Sequence, residues 1–305
     1  MDMSEPRLSV VIPTYNRAPW LLRTLSSLYR QTLDRQHYEI IVADDGSSDG
    51  TRELVTRYPE RNVRYVAQAD CGYRAAAARN LGIRDARSPI CLLLDSDILA
   101  SPTLLKQHLS THESSSRPTA VIGYLAGLDQ GGHGHHQRNN AAIQKLIDPA
   151  DVDGTIERLE AAGFSDIRES VYYRRYSVDL ETWPAPWIVF WSGNVSVPTA
   201  TLHQVGLFDE SFVTWGGEDL ELGIRLFASG VAFKVNRDAK GVHQPHPKLL
   251  ASVPENEQRA RRRTTYGALH RKHQRADTAM LLEVDPPADL NAALMRDSFS
   301  VPRKE

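Results

Sequence analysis

The 305-residue sequence has few of the features that mark disulfide-rich, membrane-spanning or exported proteins. Its two cysteines, Cys71 and Cys91, form no disulfide framework and no C-x-x-C motif, which predicts a reducing compartment. No stretch approaches the roughly 20 apolar residues that are needed to cross a bilayer. The opening residues are acidic and lack the apolar core of a signal peptide. We therefore expect a cytoplasmic protein without a transmembrane segment, and peripheral contact with a membrane stays open.

Neither sign of charge is in excess, because 36 lysine and arginine residues face 38 aspartate and glutamate residues. Proteins that bind nucleic acids carry a clear basic excess, so we expect no nucleic-acid partner. The apolar share of 41% and the charged share of 24% are typical of a globular protein. The length allows a large core, in one elaborated α/β domain or in two fused subdomains.

Short apolar runs alternate with helical patterns through the first third of the chain. The predicted strands are residues 8–12, 39–43, 63–67 and 90–94, and the predicted helices begin near Asn16, at 51, at 74 and at Ser101-Pro102. This alternation predicts an α/β fold with a Rossmann-like, mainly parallel sheet, helices on both faces and right-handed crossovers. The first strand is not followed by G-x-G-x-x-G, which argues against a dinucleotide site built on that motif.

The rest of the chain has a weaker pattern. We predict a strand at 121–125, a helical pattern over 139–163 with a helix start near Asp151 or Asp153 and a stop at Gly163, and a turn into a strand at 192–198. A helix from about 218 to Gly230, a strand at 231–235 and a basic helical run at 259–272 should follow. Residues 131–136 are rich in glycine and histidine and predict a loop. Flexible histidine-rich loops bind metals unselectively, so we place no site there. The basic run is typical of a solvated helix face.

Two carboxylates follow the predicted strand at residues 90–94. The apolar run leads directly into Asp95, Ser96 and Asp97, and such a run is typical of a fully buried strand. Ligands of open α/β sheets bind at the carboxyl ends of the strands, and carboxylate oxygens suit Mg²⁺ and Mn²⁺. The pattern alone is equally consistent with a cation site, a hydroxyl-binding site or an ordinary strand end.

A second acidic centre follows a pair of glycines. Glu218 and Asp219 come directly after Trp215-Gly216-Gly217, whose glycines allow a sharp turn and the close approach of a ligand. A general base needs a carboxylate within hydrogen-bond distance of a reacting hydroxyl. The alternative is that both carboxylates only complement the dipole of a helix. A helix N-terminus would lower their pKa, whereas burial would raise it.

Two histidines, His243 and His246, lie close to prolines after the last predicted strand. Imidazole is a ligand for Mn²⁺ among other metals. His243 could therefore share a cation with Asp97, and His246 is the competing candidate. The alternative for either histidine is a structural role in a loop.

Taken together, these motifs resemble a known family. Family-2 glycosyltransferases of the GT-A fold carry motifs similar to V-V-I-P-T-Y-N-R at 10–17, V-A-D-D-G-S-S-D-G-T at 42–51 and L-D-S-D at 94–97. Bacterial chondroitin polymerases carry stretches similar to G-Y-R-A-A-A-A-R-N-L-G-I at 72–83 and W-G-G-E-D-L-E-L-G at 215–223, and the second also resembles animal galactosyltransferases. The resemblance covers residues 7–258, apart from the stretch 125–188.

The resemblance implies a nucleotide pocket in the first half of the chain. It implies that the base and ribose are lined by Pro13, Thr14, Tyr15 and Arg17. Asp45 or Asp44 would bond the base, which we expect to be uracil. Arg79 and Arg74 would lie near the diphosphate.

The resemblance also implies a metal site and a catalytic base. Asp95, with Ser96 beside it, would contact the ribose or the sugar, while Asp97 and His243 would bind Mn²⁺ or Mg²⁺. The residues that would face the sugars are Trp215, Gly217 and Glu218. Asp219 would be the base, and the acceptor hydroxyl that it deprotonates would attack the anomeric carbon from the face opposite the leaving diphosphate, with inversion.

The expected protein is therefore a metal-dependent inverting glycosyltransferase that moves a sugar from a nucleotide sugar, expected to be UDP-linked, to an acceptor hydroxyl. We divide it into a nucleotide-sugar-binding subdomain at 1–113, an acceptor-binding and catalytic subdomain at 114–247 and a C-terminal helical extension at 248–305. The acceptor could be a carbohydrate, a lipid-linked precursor or a small natural product, and a homodimer is left open.

Two other classes of protein compete with this interpretation. A sugar-phosphate nucleotidyltransferase needs a glycine-rich, lysine-containing loop after its first strand, where this chain has P-T-Y-N-R. A non-catalytic carbohydrate-binding protein on a decayed transferase fold would lose its acidic residues first. The four carboxylates of the two acidic centres are all present, namely Asp95, Asp97, Glu218 and Asp219. Metal-dependent hydrolysis of a nucleotide sugar would separate an enzyme from a binding protein.

Overall fold

The computed structural model describes residues 6–57, 62–128, 135–246 and 254–300, with the backbone alone at 135–138, 255 and 298–300. In these ranges the strands are β1 (Leu8–Thr14), β2 (Tyr38–Asp44), β3 (Val63–Ala67), β4 (Ile90–Leu94), β5 (Ile98–Ala100), β6 (Thr119–Ala126), β7 (Asn194–Pro198) and β8 (Ala232–His243). They form one eight-stranded sheet in the order β3-β2-β1-β4-β7-β6-β8-β5.

Helices and short turns connect the strands. The helices are α1 (Ala18–Leu28), α2 (Thr51–Thr56), α3 (Ala75–Asp85), α4 (Leu104–Glu113), α5 (His135–Leu146), α6 (Val152–Ala161), α7 (Arg174–Tyr176), α8 (Thr199–Gln204), α9 (Glu218–Ala228), α10 (Glu255–His273), α11 (Ala276–Glu283) and α12 (Leu290–Ser300). Short 3₁₀ turns cover Arg35–His37, Leu180–Thr182, Pro186–Val189 and Pro287–Asp289, and a π turn covers Glu169–Tyr173. Among the described residues, no helix is both long and apolar enough to cross a bilayer.

Helices pack on both faces of the parallel part of the sheet, because its strands are apolar on both sides. Val11 of β1 lies in the same buried cluster as Ile83 of α3. Its neighbours Val10 and Ile12 lie in the cluster of Leu21 from α1. β1 is parallel to both β2 and β4, and β2 is parallel to β3. The predicted α/β fold with a Rossmann-like, mainly parallel sheet is confirmed.

Antiparallel pairs bring distant segments to the end of β4. β7 runs antiparallel to β4 with Leu94 opposite Asn194, so the chain enters β7 beside Asp95. The short strand β5 runs antiparallel to β8 with Ile98 opposite His243. Residues from three separate parts of the chain therefore meet where β4 ends.

The helical pattern predicted over 139–163 is confirmed, with the predicted helix start at Asp151, and two helices occupy this range. α5 and α6 lie on either side of residues 147–151. Pro149 lacks a backbone N–H and interrupts the helical hydrogen bonds. Asp151 then caps α6 by accepting from the Gly154 N–H at 2.9 Å.

The residues after β4 also differ from the prediction. Ile98–Ala100 form β5, a strand that was not predicted. Ser101 continues the pairing with β8, because its N–H donates to the Lys240 carbonyl at 3.0 Å. α4 therefore begins at Leu104 rather than at Ser101-Pro102.

β8 is longer than the strand predicted at 231–235. It extends to His243 because it pairs with both β6 and β5 along its length, so this histidine ends a strand instead of lying in a loop. The predicted glycine- and histidine-rich loop lies outside the described residues at 131–134. Residues 135–136 begin α5 and correct that prediction.

The C-terminal helices pack into the core of the second half of the molecule. Leu269 of α10 and Leu281 of α11 lie in the same buried cluster as Trp187. The indole N–H of Trp187 donates to Asp277 at 3.1 Å. The basic run at 259–272 is helical, as predicted, within α10. The division of the chain into three subdomains stays a prediction.

Candidate active site

The carboxyl ends of β1 and β2 bring the first predicted pocket residues together. Thr14 lies opposite Asp44 in the parallel register, and both side chains are buried. Asp44 accepts hydrogen bonds from the Ser47 N–H at 2.9 Å and from the Tyr65 hydroxyl at 2.5 Å, so it is engaged in holding the loop after β2. The buried Thr14 hydroxyl has no hydrogen-bond partner among the described residues.

Asp45 lies beside them and ties a second loop to the same edge of the sheet. It is buried and accepts from the Gln68 amide at 2.6 Å and from the Arg74 backbone N–H at 2.8 Å. The exposed Tyr15 donates its hydroxyl to Asp70 at 3.0 Å. The predicted pocket residues that gather here are Pro13, Thr14, Tyr15, Asp44, Asp45 and Arg74.

Three side chains that could hold a metal converge just after β4. The ligand atoms of Asp97, His243 and His246 all lie within 4.8 Å of one another. His246 Nε2 is 2.8 Å from Asp97 Oδ2, and His243 Nε2 is 4.0 Å from Asp97 Oδ1. This Oδ1 atom is buried and has no hydrogen-bond partner among the described residues. One carboxylate with two imidazoles suits Mn²⁺ and related cations, so these residues fit a divalent metal.

Trp20 sets the position of the second histidine. Its indole N–H donates to the Pro245 carbonyl at 3.1 Å, and its ring meets the His246 ring edge-on with centroids 6.4 Å apart. Arg17 stacks over Trp20 at 5.3 Å. Burial alone would raise the pKa of Asp97, but the two imidazoles and Arg17 together hold this pKa well below its usual range. Asp97 is therefore anionic at neutral pH.

A buried arginine connects the end of β4 with the second acidic centre. Arg79 of α3 is 6% exposed and contacts Asp95 at 3.0 Å and Glu218 at 3.1 Å. Burial opposes its charge, yet the two carboxylates keep the pKa of Arg79 above its ordinary value. Burial raises the pKa of Asp95, although Arg79 opposes that shift. The contact of Arg79 with a diphosphate stays a prediction.

α9 begins with both carboxylates of the second acidic centre. Gly217 is its N-cap and has a φ of 104°, a backbone conformation that favours glycine. Burial, reinforced by the negative charge of Glu218, raises the pKa of Asp219 to about 7. Burial thus outweighs the helix N-terminus. A carboxylate that exchanges its proton near neutral pH can serve as a general base.

Ser96 and Trp215 occupy opposite environments. Ser96 is buried between the two aspartates after β4, and its carbonyl accepts from the Thr24 hydroxyl at 2.9 Å. Trp215 is 65% exposed on the loop that precedes α9. Ser96 therefore connects the segment after β4 to α1, whereas Trp215 offers an aromatic face to solvent.

Sequence reasoning missed Trp20, Gln68 and Asp70, which contact the predicted residues directly. Trp20 comes three residues after the matched motif at 10–17, and Gln68 and Asp70 come just before the one at 72–83. Their position beside the matched motifs is the one signal that could have identified them.

Solved structures with the same architecture are glycosyltransferases. S. aureus TarS 1–349 in complex with UDP-GlcNAc gives a TM-score of 0.60 at 17% identity and covers 98% of this chain and 74% of that one. The mannosyltransferase PcManGT from Pyrobaculum calidifontis in complex with GDP-Man and Mn²⁺ gives 0.57 at 18% identity, over 97% and 76%. The protein therefore has the GT-A fold of glycosyltransferases.

Two family models cover most of the site. The model for glycosyl transferase family 2 matches residues 9–173, and the model described as the N-terminal domain of galactosyltransferase matches residues 174–246. The chain belongs to glycosyl transferase family 2. This confirms the resemblance drawn from the motifs, including the galactosyltransferase-like segment at 215–223.

Relatives extend over most of the chain. The validoxylamine A glucosyltransferase of Streptomyces hygroscopicus subsp. jinggangensis (strain 5008) is 40% identical over 245 residues, which is 80% of this chain and 56% of that protein. The chondroitin synthase of Escherichia coli is 34% identical over 245 residues, which is 79% of this chain and 35% of that protein. The chain thus spans about half the length of the first relative and about a third of the second.

Proposed function

We propose that the protein is a divalent-metal-dependent, inverting glycosyltransferase that moves a sugar from a nucleotide sugar to an acceptor hydroxyl. One observation carries the proposal. An ion network formed by Asp95, Arg79 and Glu218 joins the segment that carries the metal ligand Asp97 to the segment that carries the candidate base Asp219. Arg79 contacts Asp95, two residues before Asp97, and also Glu218, which precedes Asp219. This network connects a donor-binding half with a base-carrying half.

The donor that we propose is a UDP-linked sugar. Thr14 and Asp45 lie at the ends of adjacent parallel strands, where α/β folds bind nucleotides, and the unpartnered Thr14 hydroxyl supports a polar ligand there. The other pocket residues are Pro13, Tyr15 and Arg17. The TarS complex contains UDP-GlcNAc, which supports uridine, whereas the PcManGT complex contains GDP-Man and makes guanosine the alternative to test.

Asp97, His243 and His246 would hold the cation. Two imidazoles favour Mn²⁺ over Mg²⁺, which prefers oxygen ligands. When bound, the cation supplies positive charge against the leaving nucleoside diphosphate. The buried, unpartnered Asp97 Oδ1 supports this assignment.

Asp219 would accept the proton of the acceptor hydroxyl. The hydroxyl oxygen then forms a bond to the anomeric carbon while the bond from that carbon to the diphosphate breaks on the opposite face, so the configuration inverts. With a pKa raised to about 7 by burial and by Glu218, Asp219 holds a transferred proton and releases it afterwards. The positive charge of Arg79 balances the negative charges of Glu218 and Asp95, which stabilises both carboxylates beside the proposed base.

The acceptor that we propose is a small, polyhydroxylated natural product. Trp215, four residues before Asp219 in the chain, offers an exposed ring, and such rings stack on the apolar face of a sugar. Gly217, by contrast, packs closely against Thr265 and Phe212. The name of the relative, validoxylamine A glucosyltransferase, supports a small acceptor, with a glycan or a lipid-linked precursor as alternatives. A cytoplasmic location and a homodimer stay predictions.

Thermal stabilisation by nucleotide sugars tests the donor and metal sites together. We would measure the Tm with UDP-glucose, UDP-GlcNAc, UDP-galactose and GDP-mannose, each with and without Mn²⁺. A ligand at about 100 times its Kd adds about 2.7 kcal/mol of stability, which corresponds to a Tm rise of several degrees. The donor should give this rise only with Mn²⁺. Release of nucleoside diphosphate from that donor then tests catalysis.

Two variants make this experiment specific. Asp97→Asn should lose the Mn²⁺-dependent rise, and Asp238→Asn, at an exposed position of the same strand as His243, should keep it. Absence of stabilisation by every nucleotide sugar would contradict the proposed function. Binding without any release of diphosphate in the presence of acceptors would favour the non-catalytic carbohydrate-binding alternative.

A further inference from the structure

The segment between α8 and α9 carries the exposed wall of the candidate site. Residues 210–217, which we call the acceptor loop, contain Trp215 and lead into Asp219 at the start of α9. Gly216 and Gly217 end this loop with φ angles of 94° and 104°. Glycine loses more conformational freedom on folding than any other residue. A loop that ends in two such glycines needs contacts from outside itself to hold the base in place.

One ammonium group of α10 contacts residues on both sides of this loop. Lys272 of α10 donates to Asp209, which directly precedes the loop, at 2.5 Å. It also donates to Glu221, in the first turn of α9, at 2.8 Å. Glu221 is fully buried, so this end of the contact is shielded from water. Lys272 therefore joins the entry of the acceptor loop to its exit.

The same helix also touches the last residue of the loop. A Cβ placed on Gly217 would overlap the methyl group of Thr265 in α10 and would crowd the ring of Phe212. α10 thus lies in van der Waals contact with the backbone just before the two carboxylates. α10 therefore contacts the acceptor loop directly at Gly217, in addition to the ion pairs of Lys272 with the residues on either side of the loop.

α10 has a firm support of its own. Leu269 is fully buried in the core, and His270 contacts the Thr278 hydroxyl at 3.1 Å. Asp277 of α11 accepts from Arg275 at 3.0 Å and from the indole of Trp187 at 3.1 Å. The core therefore holds α10 itself and also α11, which follows it, so Lys272 projects from a helix with a fixed position.

We propose that Lys272 is a positioning residue that holds the acceptor loop, and through it Asp219, in the reactive arrangement. This inference rests on the proposed function, in which Asp219 is the base. Without Lys272, Glu221 retains the charge of Arg225 at 2.9 Å and a hydrogen-bond partner in His273 at 3.1 Å, so the buried carboxylate keeps a counter-charge. The effect of replacing Lys272 should therefore appear in the acceptor loop and not in the core.

Hydrogen exchange of the acceptor loop tests this role without any substrate. Lys272→Met removes the ammonium group and keeps the aliphatic stem, and Lys272→Arg restores a cation. Arg271→Met makes the same change of charge at the neighbouring exposed position. We expect amide exchange at residues 210–219 to rise about tenfold in Lys272→Met, to stay as in the wild type in Arg271→Met, and to recover in Lys272→Arg. Unchanged exchange, or an equal rise in peptides from β1 and β4, would overturn the proposal.

Turnover tests the catalytic consequence. With Mn²⁺ and the donor found by thermal stabilisation, we expect Lys272→Met to lower kcat about tenfold or more. The KM for the nucleotide sugar should stay within about twofold, since Lys272 contacts only the base-carrying half. Unchanged kcat with a raised donor KM would overturn the positioning role. A wild-type protein without turnover would contradict the proposed function instead, and the exchange result would still decide whether Lys272 orders the loop.

Discussion

Different kinds of contact hold the site residues in place in the parts of the chain before and after residue 114. In the first part, β1, β2 and β4 are neighbours in one parallel sheet, and site residues such as Thr14 and Asp97 lie where these strands end. In the second part, the contacts that hold the site join residues far apart in the chain. Trp187 contacts Asp277, and Lys272 contacts Asp209.

This difference determines how each half responds to substitution. Groups at strand ends are held by the main-chain hydrogen bonds of the sheet. Groups around the base are held by side-chain contacts that are buried or partly buried, and such networks depend on every member. Substitutions at these contacts should therefore change turnover or stability while leaving the binding of nucleotide sugar intact, whereas His243 and His246, which also follow residue 114, belong to the proposed metal site.

The largest effect is expected for the base. Asp219→Asn keeps the shape of the side chain but cannot accept a proton, and general-base catalysis contributes about 10²- to 10⁴-fold to rate. Turnover with the identified donor and an acceptor should fall by that factor, measured as diphosphate release under saturating donor. Near wild-type turnover in a folded variant would remove Asp219 from the mechanism. Asp238→Asn serves as the matched control.

The next effect concerns the arginine between the halves. Arg79→Met would leave Asp95 and the buried Glu218 without their shared cation, and breaking a buried ion pair costs about 3–5 kcal/mol. Urea unfolding should show a loss of this size. Arg84→Met, one turn further along the same helix, breaks an exposed pair with Glu210 and should cost under about 1 kcal/mol. Equal losses in the two variants would contradict the bridging role of Arg79.

A smaller effect is expected from pH. The base must be deprotonated, and the pKa of Asp219 is raised to about 7 by burial and by Glu218. The kcat/KM should therefore fall about tenfold for each pH unit below this pKa and level off above it. Glu218→Gln removes a neighbouring negative charge and should move the acid limb to lower pH. A flat profile between pH 6 and pH 8 would contradict the assignment.

The smallest effect is expected at the solvent-exposed wall. Trp215→Ala removes a stacking surface worth about 0.5–1.5 kcal/mol, so the KM for a sugar-like acceptor should rise several-fold. The Tm should hardly change, because the ring is 65% exposed. An equal rise in the KM for the nucleotide sugar would contradict this prediction, because Trp215 would then contribute to donor binding as well as to acceptor binding.

Local sequence signals predicted the strands of the first part of the chain well. The strand at Ile90–Leu94 and the carboxylates after it could be located because the apolar run and the polar residues that end it are adjacent in sequence. The helix start at Asp151 was also a local signal, because the residue that caps α6 directly precedes it in the sequence. The choice between His243 and His246 was not local, since the pairing of β5 with β8 decides which imidazoles face Asp97.

Long-range partners explain what could not be predicted. Arg79 and Glu218 are 139 positions apart, and no pattern within either helix shows that they meet. Composition classed the basic run in α10 as a solvated face, yet Lys272 pairs with the buried Glu221. A sequence shows that a lysine is present, but the burial of its partner follows only from how the helices pack.

Binding of the identified nucleotide sugar to two carboxylate variants, measured by calorimetry in the presence of Mn²⁺, tests the division between the halves most directly. Asp97→Asn should weaken binding by at least about tenfold, or about 1.4 kcal/mol. Asp219→Asn should bind within about twofold of the wild type, because the proposed base would contact the acceptor and not the nucleotide. Weakening of the same size in both variants would contradict the account, since donor binding and base would then belong to one inseparable site.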